Sequence, residues 1–165
     1  MAARLLLVDD DPVAVRELGK ALQRALPTIA LDCFTNSRDA LLSLRAHPYA
    51  VVLTDYHMPG LNGLALLQAA RESGSEAIFI LVTGEANPVM VADGLRLGLF
   101  YIVPKPVPML TVLTMVHQAL AVYELRQEVG QLRQILAETG ASLGEVVHGM
   151  IRPEDESQGQ LPYAD

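Results

Sequence analysis

Cysteine occurs only once in these 165 residues, so no internal disulfide can staple the fold. Cys33 sits in an apolar stretch and reads as a buried structural thiol without chemistry of its own. Long apolar runs are missing as well. Stretches such as Leu5 to Val8 and Ile78 to Val82 fall far short of the roughly 20 residues that cross a bilayer, so no membrane span is expected. The apolar part of Met1 to Asp11 is too short for a secretory signal, and the chain is expected to be cytoplasmic. Basic runs are also lacking: 12 Lys and Arg stand against 19 Asp and Glu, for a net charge of -7, and the cations do not gather into a patch that could follow a phosphate backbone. Direct binding of nucleic acid is therefore not expected.

What the chain does have is a 51% hydrophobic composition, enough for one globular domain with a sizeable core plus an appendage. Short apolar runs at Arg4 to Val8, Ala30 to Phe34, Ala50 to Thr54, Ala77 to Thr83 and Phe100 to Val103 read as strands. Helical patterns lie between them. Asp11 followed by Pro12 starts the first, which ends near Pro27; Asn36 or Ser37 caps the second, which stops at His47-Pro48; Asn62 caps the third, which runs to Gly74. Pro88 opens a fourth that ends at Gly98, and Pro108 a fifth with no breaker before Gly140. Five consecutive βα units predict an α/β fold: a doubly wound, five-stranded parallel sheet in the flavodoxin-like order 2-1-3-4-5, with an extended C-terminal helix.

From Pro108 to Thr139 that last helix spans roughly 48 Å at about 1.5 Å per residue, so its second half is expected to leave the globule. Met115, Val122, Val129 and Leu136 recur every seven residues, as do Leu125 and Leu132, which makes them a and d positions of a heptad seam. Glu128 then falls at g and Arg133 at the following e, a pairing suited to a parallel homodimer. A single amphipathic helix folded back on its own domain is the competing reading. Leu143, Val146 and Met150 keep the heptad phase to about residue 150, although Gly140, Gly144 and Gly149 weaken helix there. The expected extension is 124–150, followed by a disordered acidic tail at 151–165.

In a sheet of this kind, ligands bind beyond the carboxyl ends of the strands. The first strand ends on Asp9 and Asp10, the third on Asp55, the fourth on Thr83, and the fifth runs into Lys105. Three carboxylates beside one ammonium call for a hard divalent cation with oxygen ligands, of which magnesium is the expected one. One carboxylate oxygen can then attack phosphorus while the Lys and the hydroxyl hold the equatorial oxygens, so the predicted chemistry is phosphoryl transfer to an aspartate. The stretches Val8-Asp9-Asp10-Asp11-Pro12, Asp55-Tyr56-His57-Met58-Pro59 with Gly63, Thr83-Gly84 and Lys105-Pro106 together resemble the receiver domain of two-component response regulators. The resemblance covers about Met1 to Tyr123.

It implies that Asp55 is the phosphoacceptor, that Asp10 ligates Mg2+ directly and Asp9 mainly through water, and that the backbone carbonyl of His57 adds a ligand. Thr83 resembles the family's switch hydroxyl and Lys105 its paired cation, and a cis peptide is implied between Lys105 and Pro106. A sensor histidine kinase is the implied phosphodonor, with an output domain or effector protein downstream. The chain is then no enzyme toward outside substrates, catalysing only its own phosphorylation and dephosphorylation. One position departs from the pattern: three residues before the Lys, where the family usually carries an aromatic, stands Ile102, flanked by Tyr101.

Rival readings fit less well. Helix capping accounts for Asp11, but not for Asp9, Asp10 and Asp55 side by side, which repel by roughly 3 kcal/mol per pair at about 5 Å and an effective dielectric of about 20. A flavodoxin-type cofactor loop must welcome phosphate through hydroxyls and N–H groups, and three aspartates reject it. An aspartyl phosphatase needs a second acid where His57 stands. His47, His117 and His148 lack metal-ligand spacing. The remaining alternative is a dimeric assembly or adaptor module, built on the coiled coil and the apolar stretch Leu95, Leu97, Leu99 and Phe100, with phosphorylation secondary.

Overall fold

A computed structural model of the protein describes residues 3–139. The heptad positions Leu143, Val146 and Met150, the glycines from Gly140 onward, His148 and the 151–165 tail lie outside the described residues. Strands and helices alternate as β1 (Arg4–Val8), α1 (Pro12–Ala25), β2 (Ala30–Phe34), α2 (Ser37–Ala46), β3 (Val51–Asp55), α3 (Gly63–Glu72), β4 (Ile78–Thr83), α4 (Pro88–Arg96), β5 (Tyr101–Pro104) and α5 (Met109–Thr139). All strand pairs are parallel, in the order β2-β1-β3-β4-β5, which is the expected doubly wound sheet. β3 and β5 run one residue further than the apolar pattern indicated, because the ladder continues through Asp55 opposite Val82 and through Pro104 opposite Thr83. That shift makes Asp55 the last residue of β3.

Side chains alternate across each strand, so one strand feeds two cores. Leu5, Leu7, Val51, Leu53, Ile78 and Ile80 belong to one, with Val15 and Leu22 of α1 and Val112, Val116 and Leu120 of α5. Leu6, Val8, Val52, Phe79 and Leu81 belong to the other, with Leu44 of α2, Leu66 and Leu67 of α3 and Met90 of α4. The helices start just beyond the carboxyl ends of the strands, and α1 to α4 each start on a short polar side chain. Asp11 accepts from the Val13 N–H at 2.8 Å, Asn62 from that of Ala65 at 2.8 Å and Asn87 from that of Met90 at 2.9 Å. For α2 the cap is Asn36, at 2.8 Å from the Arg38 N–H; Ser37 is not the cap.

Two further expectations change. Cys33 is exposed, not buried, because β2 is an edge strand; partial burial still pushes its thiol pKa up, which keeps it protonated and inert. In the apolar stretch from the last turn of α4 onward, Leu99 is buried and Leu97 and Phe100 are half-buried against the cores, so of these four only Leu95, still within α4, is exposed. Among the described residues no helix is long and apolar enough to cross a membrane. The chain separates into two compact units within α5, at Arg126 and Gln127.

Candidate functional site

Because all five strands are parallel, their carboxyl ends share one edge of the sheet, and residues far apart in sequence meet there. Asp9 and Asp10 follow β1, Asp55 closes β3, Thr83 closes β4 and Lys105 follows β5. The structure brings the acids and the base together. Lys105 Nζ lies 2.8 Å from Asp9 Oδ2 and 2.8 Å from Asp55 Oδ1. Asp9 and Asp55 are buried, at 7% and 6% exposure, whereas Asp10 is exposed to solvent. Burial works against the Lys105 charge, but hydrogen bonds to Asp55 and Asp9 outweigh it and hold the ammonium pKa above the ordinary lysine value. Lys105 is thus a fixed cation at any working pH.

Carboxylate oxygens of Asp9, Asp10 and Asp55 all lie within 4.8 Å of one another, and among the described residues this is the one acidic or His/Cys cluster so arranged. In an octahedron with bonds of about 2.1 Å, ligand oxygens stand about 3–4 Å apart. The cluster is therefore near the spacing a small divalent ion imposes. Its donors suit magnesium in kind too: hard, anionic and oxygen-only. Three carboxylates against one ammonium leave two negative charges, which one such ion offsets. A backbone bond steadies Asp9, the Asp11 N–H donating to its Oδ1 at 2.9 Å.

Thr83 is fully buried, and its hydroxyl is occupied: Oγ1 donates to the Glu85 carbonyl at 3.0 Å and accepts from the Glu85 N–H at 3.2 Å. The Lys105 N–H in turn donates to the Thr83 carbonyl at 2.7 Å, which ties the two residues through backbone. Lys105-Pro106 is cis, as expected. His57 sits in the loop after β3 with an exposed side chain, edge-on to the Tyr56 ring at 4.8 Å. Ile102 packs into the core on the α4 side of the sheet, while Tyr101 faces the α5 side and donates to Gln118 Oε1 at 2.7 Å. Tyr101 thus points away from the face on which the missing aromatic would lie.

Two contributors escaped the sequence reading in whole or in part. Gly63 was noted only as part of a motif. Its N–H donates to the Tyr56 carbonyl at 3.0 Å, and a Cβ there would sit 2.5 Å from the Asp55 carbonyl oxygen and against Leu81 Cδ1. Gly63→Ala is accordingly expected to cost about 2–3 kcal/mol and to displace the Asp55 backbone. Urea unfolding measures this; a midpoint equal to the parent's contradicts the close approach. Ser37, taken as a possible cap, instead reaches this same loop.

A family model described as the response regulator receiver domain matches residues 5–117. The chain is 32% identical over 137 residues to the C4-dicarboxylate transport transcriptional regulatory protein DctD of Pseudomonas aeruginosa, covering 82% of this chain and 29% of DctD. It is 33% identical over 135 residues to the regulatory protein AtoC of Escherichia coli, covering 81% of this chain and 29% of AtoC. The chain therefore spans less than a third of either relative. Among solved structures, a CheY-like response regulator receiver domain protein from Methanospirillum hungatei superposes with a TM-score of 0.71 at 22% identity, over 76% of this chain and 99% of that one. This last likeness is one of fold.

Proposed function

The chain belongs to the response regulator receiver domain family, and on that footing we propose that Asp55 accepts a phosphoryl group from a sensor histidine kinase in a magnesium-dependent reaction. The observation that carries this reading is Lys105 Nζ, held 2.8 Å from both Asp9 and Asp55 at the edge where the strands end. In the proposed step an Asp55 carboxylate oxygen attacks phosphorus and the bond from phosphorus to the donor histidine nitrogen breaks, that nitrogen keeping the electron pair and taking up a proton. Lys105 holds the transferred oxygens by charge. The Thr83 hydroxyl then exchanges the Glu85 carbonyl for a phosphoryl oxygen, which is the conformational switch. Asp10 and Asp55 would hold magnesium directly, Asp9 mainly through water and His57 through its backbone carbonyl; the ion supplies charge that offsets the phosphoryl oxygens. Hydrolysis of the acyl phosphate resets the site. The chain acts on no outside substrate, catalysing only its own phosphorylation and dephosphorylation.

This reading places the chain in the cytoplasm with its phosphodonor. The relatives DctD and AtoC are regulatory proteins, of which this chain matches 29% each, so the proposed readout is an output domain or an effector protein. The C-terminal helix is its route, joining two copies of the chain in parallel. Of the heptad positions, Met115 and Val122 pack against the receiver's own core and are not available to a partner, whereas Leu125, Val129 and Leu132 are 60%, 40% and 50% exposed along α5 in the a and d spacing, which supports pairing with a second copy from Leu125 onward. The exposed Val89, Val91 and Leu95 of α4 also suit the alternative of an assembly module in which phosphorylation is secondary. Treatment with acetyl phosphate and magnesium separates the two, because only a working receiver retains an acyl phosphate.

Magnesium at ten times its dissociation constant is expected to stabilise the protein by roughly 1.4 kcal/mol, read as a rise in melting temperature. Asp10→Asn removes that rise. Without metal the variant is as stable as the parent or slightly more so, by less than about 1 kcal/mol, since the repulsion it relieves is screened at an exposed position. A metal-free Asp10→Asn protein that melts well below the parent contradicts mutual repulsion within the cluster.

A further inference from the structure

The loop between β3 and α3 carries His57 and is tied down on both sides of it. Upstream, the Tyr56 N–H donates to the Val82 carbonyl at 3.0 Å. Downstream, Met58 is buried at 8% exposure among the residues of one core. The loop closes where the Gly63 N–H meets the Tyr56 carbonyl at 3.0 Å. Between Met58 and Gly63 the chain makes a turn through Gly60, whose φ of 85° lies in the left-handed region that favours glycine. One side chain from another element holds that turn. Ser37 Oγ donates to the Pro59 carbonyl at 3.1 Å and accepts from the Leu61 N–H at 3.2 Å.

Ser37 is 1% exposed, and its hydroxyl reaches residues 22 and 24 positions away. A Ser in the first turn of a helix ordinarily bonds its own backbone. Here Asn36 already provides the cap, which leaves the Ser37 hydroxyl for the turn. The turn lies directly against Ser37: a Cβ at Gly60 would stand in ordinary contact, 3.7 Å from Ser37 Oγ. One hydroxyl thus satisfies a carbonyl and an N–H on either side of Gly60 and clamps the segment two to four residues after His57.

We propose that Ser37 is a positioning residue for phosphoryl transfer: it clamps the Pro59–Leu61 turn and so holds the His57 backbone carbonyl where magnesium can use it. The inference rests on the magnesium-dependent reading of the site and adds to it a residue from α2. Removing the hydroxyl loosens a ligand carrier without touching any of the acids. The effect therefore falls on metal affinity and on the order of the loop, more than on the chemistry at saturating metal.

The test uses the full chain with Ser37→Ala, Ser37→Gly as a second variant, and Leu26→Ala as a control. Leu26 is buried at the far end of α1 from Asp11 and lowers stability without touching the loop. Calorimetric titration with magnesium chloride is expected to give a dissociation constant about threefold to tenfold weaker for both Ser37 variants, the loss of one or two ordinary hydrogen bonds. Labelling by acetyl phosphate at saturating magnesium stays within about twofold of the parent by the same reasoning. In metal-free protein the Leu61 amide exchanges with deuterium about threefold to tenfold faster in the variants than in the parent. Leu26→Ala lowers the melting temperature and moves none of these three.

Unchanged magnesium affinity in both Ser37 variants, or an equal loss in Leu26→Ala, overturns the proposal and makes Ser37 merely structural. An unchanged Leu61 exchange rate overturns the clamp. A parent that binds no magnesium overturns the reading of the site itself, and the positioning role with it.

Discussion

Asp55→Asn is expected to take up no phosphoryl group from acetyl phosphate or phosphoramidate in magnesium, with incorporation falling to background. The carboxylate is the proposed nucleophile; an amide at the same place keeps its shape, but its oxygen carries no charge and its nitrogen lone pair is delocalised. Unfolding cannot account for the loss. Lys105 retains Asp9 at 2.8 Å when its bond to Asp55 goes, and is itself 38% exposed, so no buried charge is left unpaired. Metal-free stability should stay within about 1 kcal/mol of the parent, because one ion pair and one repelling acid disappear together. Thr83→Ala supplies the contrast. Its hydroxyl bonds Glu85 in the resting state, so removing it leaves the nucleophile in place; labelling persists while the response of the rest of the chain to labelling is blunted. Full incorporation in Asp55→Asn moves the phosphoacceptor elsewhere and ends the assignment.

The parts legible in the sequence were those set by short-range rules. Runs such as Leu5 to Val8 and Ile78 to Val82 can be buried on both faces only in a parallel sheet, and Asp11-Pro12 starts a helix wherever it occurs. Once the sheet was parallel, Asp9, Asp10, Asp55 and Lys105 had to share an edge, and the structure places them there. What escaped depends on contacts across the chain. Nothing near Ser37 announces that Pro59 and Leu61 will come to it, and Asn36 beside it is an equally good cap by type. Gly63 reads as a permissive residue until β4 delivers Leu81 against it. Cys33 reads as buried because its neighbours are apolar, although the expected strand order already puts β2 at an edge, where one side of the strand stays open. The faces of Tyr101 and Ile102 follow from simple alternation once Val103 is known to point into the α5-side core.

Changing Leu125 and Leu132 together to Lys is expected to turn a parallel dimer into a monomer. Both occupy d positions, where the partner's equivalent residue faces them, so each substitution removes an apolar pair and opposes two ammonium groups. Leu125 and Leu132 are 60% and 50% exposed, and neither belongs to either core cluster, so the receiver fold loses little by the change. Fully burying a Leu or Val contributes about 1.5–3 kcal/mol. Each Lys substitution takes an apolar contact of this kind from both chains and sets two ammonium groups face to face, so two substitutions suffice to break the pairing. A pair between Glu128 and the partner's Arg133 adds only roughly 0.5 kcal/mol and chiefly sets the parallel orientation. Sedimentation at tens of micromolar checks this. The parent runs as a dimer and the double variant as a monomer, with acetyl phosphate labelling at Asp55 unchanged. A parent that is monomeric at that concentration, or a double variant that stays dimeric, removes the helix seam as the interface and leaves the exposed α4 side chains Val89, Val91 and Leu95 as the surface to test next.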